Sequence, residues 1–236
     1  MLRSLVGSEM CIRDSYQAGR DAVAGFKRTY KGEIAEEIYT KLDQADFSVE
    51  LARVRSLAPD AIFQFHPGGA GINLTKQFAN SGLDGKIKMI TPIYSMDERM
   101  LAATGTAGKG FYLSSLWSAD LDNPQNKHFV QAFTQAYNRA PTAYAAQAYD
   151  TANLIGTALK AAGGDIAGKP DAFRDALRRA DFPSVRGKFK FGPNQHPVQD
   201  WYLLHIEAGP DGKLVYKNLK VIARDHTDVH AVDCKM

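Results

Sequence analysis

"AIFQFHPGGAGINLTKQF", residues 61–78, runs an apolar stretch through a glycine-rich elbow into a helix-like pattern. Ala61–Phe65 is short, apolar and rich in aromatic and β-branched residues, which is the composition of a buried strand. Residues 72–80 are expected to be helical. His66-Pro67-Gly68-Gly69-Ala70-Gly71 therefore lies where strand gives way to helix, the edge at which open α/β sheets take ligands. The letters of the elbow exclude several chemistries. A dinucleotide fingerprint needs Gly-x-Gly-x-x-Gly, a phosphate loop ends in Gly-Lys-Ser/Thr, and here Ile72-Asn73-Leu74 follows the glycines. A serine-hydrolase elbow needs Ser between the glycines, and there is none. Two readings remain: a tight turn without a ligand, or a stretch of little bulk whose amides donate hydrogen bonds to a carboxylate or another polar group.

The pattern continues on both sides. Upstream, Val23, Phe26 and Tyr30 repeat at helical spacing, "GEIAEEIYT" (32–40) is a weak strand, and Phe47, Leu51, Val54 and Ala58 share a helix face. Downstream come strand 87–91, a short helix from about Asp97, and strand 110–116. This βα alternation predicts a parallel sheet flanked by helices. The lobe begins with a helix, so its first strand is expected before residue 16. From Asp122 the texture changes to three consecutive helices, opened by Asp122-Asn123-Pro124 and including an Ala-rich one that ends at Gly163-Gly164. They lack a sheet to cover. The remainder alternates in strand fashion around the turn "GPDG" (209–212).

The chain of 236 residues is 44% apolar, enough for an ordinary core in one large domain or two lobes. Its charge of +3 comes from 29 basic and 26 acidic residues without a basic block, so no nucleic-acid partner is expected. No apolar run approaches the ~20 residues that cross a bilayer. The first fifteen residues have neither the apolar core nor the cleavage site of a signal peptide. "EMCIRDS" (9–15) resembles the conceptual translation of a sequencing-library adaptor, so residues 1–15, Cys11 included, are set aside from the fold as a non-native leader, and the natural amino terminus is expected upstream. Cys234 is then left without a mate in the sequence.

Other constellations are weaker. His226, His230 and Cys234 stand at i, i+4 and i+8, but lack a fourth ligand and read as tail rather than metal site. Asp97-Glu98-Arg99 opens a helix, where capping explains the acids. Tyr94, Ser95 and Asp97 nevertheless follow strand 87–91 on the same sheet edge as the elbow, so a ligand can meet both loops. Trp117 and Tyr112 are expected in the core or along a cleft. No cofactor and no metal is expected.

"GRDAVAGFK", "DFSVELARVRSLAPDAIFQFHPGGAGINLTKQFANSGL", Asp122-Asn123-Pro124, "AYDTANLIGTALKAAGG" and "RGKFKFGPNQHPVQDWYLL" together resemble the branched-chain amino-acid ABC-transporter substrate-binding proteins, the leucine-binding type of periplasmic receptor. The resemblance runs from residue 16 onward and implies a type I periplasmic-binding-protein fold: two doubly wound parallel-sheet lobes, the amino-terminal one incomplete. It implies residues 16–117 as the carboxy-terminal ligand-binding lobe, 118–185 as a helical remnant of the amino-terminal lobe, and 186–236 as strands returning to the carboxy-terminal lobe, with a tail. It further implies a periplasmic receptor that performs no chemistry, closes around an amino acid or a small organic or aromatic acid, and meets ABC permease subunits in the membrane. Its ligand contacts would come from His66, Gly68, Gly69, Tyr94, Asp97 and Tyr16, the last matching a cleft tyrosine. Ile93 stands near where relatives carry an acid for the ligand's ammonium, which points toward acids lacking an ammonium unless Asp97 reaches in. The alternatives are a ligand-sensing receptor or amide-responsive regulator of the same fold, and a nucleotide-using doubly wound enzyme.

Overall fold

The computed structural model describes residues 8–234. The chain forms two compact units: the first ends at Ser114 and takes in Leu204–Lys217, and the second comprises Ser115–Leu203 and the stretch from Asn218 onward.

The first unit is built on strands β1 (Ser8–Asp14), β2 (Glu33–Thr40), β3 (Ala61–Phe65), β4 (Lys88–Pro92) and β5 (Tyr112–Ser115), interleaved with helices α1 (Gln17–Thr29), α2 (Ser48–Leu57), α3 (Gly69–Asn80) and α4 (Glu98–Thr104). The strands lie in the order β2-β1-β3-β4-β5 and all neighbours are parallel. In this order the chain turns outward in one direction from β1 and in the other from β3. Their carboxyl ends thus flank a crevice, the topological switch point of a doubly wound sheet. Phe26 of α1 stacks on Phe63 of β3 at 4.7 Å and packs with Cys11 and Val23 into the core of that face. The hairpin that returns later joins the first unit through Ile206, which exchanges hydrogen bonds of 2.9 and 3.0 Å with Gly110 and Phe111.

Three expectations are corrected here. Residues 1–15 were set aside from the fold, yet 8–14 form β1 and fill the slot of the strand expected before residue 16, because the sheet needs a strand between β2 and β3 and Met10, Cys11 and Ile12 give it a fully buried centre. Residues 1–7 of that leader lie outside the described residues. Helix α3 starts at Gly69, three residues before the expected 72. Of the stretch 186–236, only Leu204–Lys217 packs with the first unit. The reason is strand length: β7 (Pro197–Ala208) and β8 (Leu214–His226) have 12 and 13 residues, roughly 40 Å each at about 3.3 Å per residue, so each serves both units.

β1 is an uneasy central strand. Such strands are normally continuous apolar runs, but Glu9 is fully buried with neither carboxylate oxygen hydrogen-bonded, and buried Arg13 reaches Glu37 at 3.0 Å while its Nε and Nη1 find no partner. The Arg13 guanidinium lies 3.7 Å from the centre of the Tyr39 ring. Burial, with Asp60 nearby, raises the Glu9 pKa from 4.5 to about 7. A carboxyl whose folded pKa is raised stabilises the fold below its unfolded pKa and loses that contribution as pH climbs to the folded value. Stability should therefore fall as pH rises from ~4.5 through ~7 and stay lowered above that, and Glu9→Val should raise stability at pH 8 by on the order of 2 kcal/mol and by far less at pH 4.5. Urea titrations at the two pH values check this; an equal gain at both would refute it.

The second unit holds α5 (Pro124–Tyr137), α6 (Ala143–Ala161), α7 (Pro170–Arg179), β6 (Lys190–Phe191) and the remaining parts of β7 and β8. The caps follow the sequence: Asn123 Oδ1 accepts from the Asn126 amide at 2.8 Å and Thr142 Oγ1 from the Ala145 amide at 3.0 Å. Trp117 is a core residue, 1% exposed, and its indole N–H donates to Asn126 Oδ1 at 2.7 Å. The Asn126 amide in turn donates to the carbonyls of Ser118, Ala119 and Leu121, which fixes the loop before α5.

His226 ends β8, His230 precedes a short 3-10 turn (Ala231–Asp233), and Cys234 follows it, so the three share no helix face; no metal-binding cluster exists among the described residues. Cys11 and Cys234 are free thiols, buried and exposed respectively. Burial pushes the Cys11 thiol up to about 11, which keeps it protonated at neutral pH. No described helix is long and apolar enough to cross a membrane.

Candidate functional site

The carboxyl edge of the first unit is organised by a chain of buried polar groups on three strands. His66, fully buried at the end of β3, has Nε2 2.9 Å from Thr40 Oγ1 at the end of β2 and Nδ1 3.2 Å from Gln64 Oε1. Gln64 Nε2 donates to Thr91 Oγ1 of β4 at 2.9 Å, and the Thr91 hydroxyl donates to the Pro92 carbonyl at 3.2 Å. With Gln64 presenting its oxygen to Nδ1, the ring is satisfied as the tautomer protonated on Nδ1, its Nε2 accepting from the Thr40 hydroxyl at 2.9 Å, shorter than that hydroxyl's 3.3 Å approach to the Arg13 carbonyl. The neutral imidazole this requires agrees with burial, which lowers the His66 pKa to about 4. The ring is also held edge-on by Phe47, 5.3 Å between centroids.

That clamp sets the glycine elbow. Gly71 lies against the His66 carbonyl so closely that a Cβ would come within 2.1 Å of its oxygen. Gly68 takes φ 67° and ψ −139°, a conformation available in practice only to glycine, and caps α3 without a side chain. The amides of Gly69, Ala70 and Gly71 open the helix and have no carbonyl within it to bind, at the positive end of a 12-residue helix. Gly68 and Gly69 are exposed, and a Cβ on either would meet nothing within 4 Å. Ala70 and Gly71 are buried, so the elbow offers solvent the backbone of Gly68 and Gly69, the latter at the start of the helix, beside the β1/β3 switch point.

The other predicted residues divide. Tyr16 stands two residues beyond the carboxyl end of β1, at the start of α1, and is 58% exposed. Tyr94 lies half-buried in the 3-10 turn Ile93–Ser95 after β4, on the same sheet edge. This turn is anchored from β8, where the Tyr216 hydroxyl donates to the Met96 carbonyl. Two of these side chains are engaged within the protein. The buried His66 ring is hydrogen-bonded to Thr40 and Gln64. Asp97 is 3% exposed and committed: Oδ1 accepts from the amides of Arg99 and Met100, both at 2.9 Å, and Oδ2 pairs with Arg99 at 2.8 Å. It is a helix cap, with no oxygen left for a ligand's ammonium.

Sequence reasoning missed Thr40, Gln64 and Thr91. Gln64 alone carried a signal, as the single polar letter in an apolar strand. Ser95 is fully buried after β4 with its hydroxyl unpartnered.

Comparison with known proteins places this geometry in context. A family model described as periplasmic binding protein matches residues 7–213. A solute-binding protein of an ABC transporter from Rhodopseudomonas palustris, solved in complex with benzoate, is 33% identical with a TM-score of 0.89; the match covers 100% of this chain and 64% of that one. A second, from R. palustris BisB5 in complex with 3,4-dihydroxybenzoic acid, is 34% identical with a TM-score of 0.79, covering 92% and 60%. The leucine-binding protein LivK of Thermotoga maritima shares the fold at 19% identity and a TM-score of 0.75, covering 92% of this chain and 61% of its own. The chain thus spans less than two thirds of the length of these solved relatives. No curated protein matches it.

Proposed function

The chain belongs to the periplasmic binding protein family, and from that premise we propose that it is the solute-receptor component of an ABC importer whose ligand is an aromatic carboxylate. One observation carries the choice of ligand class: exposed Gly69 opens α3 with an amide that has no acceptor within the helix and suits a carboxylate, while Asp97, the residue that would have had to reach in for an ammonium, caps α4. A branched-chain amino acid needs both partners and an aromatic acid needs the first alone. The benzoate and 3,4-dihydroxybenzoate complexes of the two relatives support the same choice. In this reading the ligand carboxylate meets the exposed backbone of Gly68 and Gly69, Tyr16 and Tyr94 border its ring, and the neutral Thr40–His66–Gln64–Thr91 chain holds the loops in register. The receptor works in the periplasm, performs no bond chemistry, and hands the ligand to a membrane permease. Ligand binding favours a closed form of the full-length receptor to the extent that the ligand contacts that form better.

Calorimetry with benzoate, benzamide and leucine tests the reading. Benzoate should bind this chain at about millimolar strength, because only part of a full receptor's contacts is provided. Benzamide, without the charge, should bind at least ~10-fold more weakly. Gly69→Asp sharpens the test. An acid in the first turn complements the helix dipole and should leave stability unchanged or raise it by up to ~1 kcal/mol, yet it places a negative charge where the carboxylate must sit. Benzoate binding should then be lost while the melting temperature holds. Leucine binding tighter than benzoate, or undiminished benzoate binding to Gly69→Asp, would overturn the proposal.

A further inference from the structure

The opposite edge of the same sheet carries a second cavity. It measures about 760 Å³, inside the range of small-molecule sites, and is bounded by the carboxyl ends of α3 and α4, by the start of β4 and by the residues entering β5. It therefore lies at the amino ends of the strands, whereas the elbow and Tyr94 lie at their carboxyl ends. Phe78 and Phe111, edge-to-face at 6.0 Å, form its floor.

The rim is cationic. Lys76, Lys88 and Lys109 converge on it from three separate elements, Asp84 is the one acid, and none of the four has an ion-pair partner among the described residues. Three ammonium groups that neither pair with Asp84 nor with one another's neighbours leave an uncompensated charge of about two over the cavity, and such a concave basic site concentrates anions. The end of α3 does little to oppose this, although a helix carboxyl terminus is normally negative. Three of its last carbonyls each have a donor: Gln77 accepts from the Ser81 amide at 2.9 Å, Phe78 from the Ser81 hydroxyl at 2.7 Å, and Ala79 from the Gly82 amide at 3.2 Å. Asn80 and Thr106 add neutral donors on the same rim.

We propose that this cavity is an independent site for a small multivalent anion carrying two or more negative charges on carboxylate or phosphate groups. Its charge matches a dianion or trianion, and a monovalent acid leaves part of the rim unpaired. Occupancy does not depend on the elbow, so this site and the proposed aromatic-acid site can fail separately.

Calorimetry on the whole chain at low ionic strength tests it, with citrate, inorganic phosphate and acetate as probes. Citrate or phosphate should titrate saturably at one site per chain, and acetate should not. Raising salt from 20 to about 200 mM should weaken that binding severalfold. The triple variant Lys76→Gln/Lys88→Gln/Lys109→Gln, whose changes are all at exposed positions, should keep its melting temperature and bind the multivalent probe at least ~10-fold more weakly, while Lys→Gln changes at three exposed lysines of the second unit, Lys127, Lys160 and Lys169, should leave binding intact. Binding of citrate favoured over phosphate assigns the site to polycarboxylates, and the reverse order assigns it to phosphorylated compounds. No saturable heat from either probe, or equal affinity in the triple variant, would overturn the proposal.

Discussion

Gly71→Ala should cost the protein about 3 kcal/mol of stability or more, an unusually large penalty for adding one methyl group. The added carbon would fall 2.1 Å from the His66 carbonyl oxygen and 2.7 Å from Met100 Cε. The thioether end of Met100 can swing away. The carbonyl cannot, because His66 is clamped through its ring to Thr40 and Gln64 and directly follows a strand that lies between β1 and β4. The start of α3 must therefore move, and with it the exposed backbone at Gly68 and Gly69. Two residues earlier, Gly69→Ala has open space around its new methyl and no positive φ. It should be neutral, or gain up to ~1 kcal/mol from helix propensity. Urea denaturation of the pair checks the contrast, and a Gly71→Ala protein as stable as Gly69→Ala would show that the elbow is not held from beneath. Benzoate binding should fall with Gly71→Ala even where the protein remains folded.

This contrast shows how much of the site the sequence could convey. The position of the elbow was legible, since "AIFQF" reads as a buried strand and the glycines follow it. The start of α3 was not. Three glycines among six residues favour a loop by local preference, but Gly71 is required by the approach of a helix to the carbonyl beneath it, a tertiary cause with no local signature. Asp97 shows the converse. Its letters, Asp-Glu-Arg after a strand, suit a cap and a ligand partner equally well. Only the positions of the Arg99 and Met100 amides decide between them. The Thr40–His66–Gln64–Thr91 chain links three strands that are distant in sequence, so nothing local announces it.

For the fold, the βα alternation from residue 17 and the helix starts at Asn123 and Thr142 follow from periodicity and capping, which are local. Strand β1 was lost by a judgement about origin: a strand slot is filled by whatever nearby segment can extend and bury an apolar centre, and Met10-Cys11-Ile12 meets that need although Glu9 and Arg13 fit it poorly. The division of β7 and β8 between the two units was equally hidden, because alternation specifies a strand without naming its neighbours.

The second unit depends on a buried charge, and Asp150→Ala should cost about 3–5 kcal/mol. Asp150 of α6 is 1% exposed and accepts from the Ser184 hydroxyl at 2.6 Å, the Val185 amide at 2.9 Å and Arg186 Nε at 2.8 Å. Arg186 continues to Gln199 of β7 at 2.7 Å and lies 4.5 Å over the Phe189 ring, so one carboxylate ties α6 to the segment leading into β6 and to the strand beyond. Removing it orphans three donors at once and strands a guanidinium whose side chain is only 7% exposed. That stranded charge, more than the lost hydrogen bonds, makes the penalty large. The double variant Asp150→Ala/Arg186→Met separates the two causes: with the cation gone, roughly half or more of the lost stability should return, although the Ser184 hydroxyl and Val185 amide remain unpaired. Thermal and urea unfolding of the two singles and the double supply the cycle. Independent, additive losses would mean that the pair contributes little beyond its separate contacts, and the ordering of residues 184–186 against α6 would then have to come from the neighbouring apolar contacts of buried Val185.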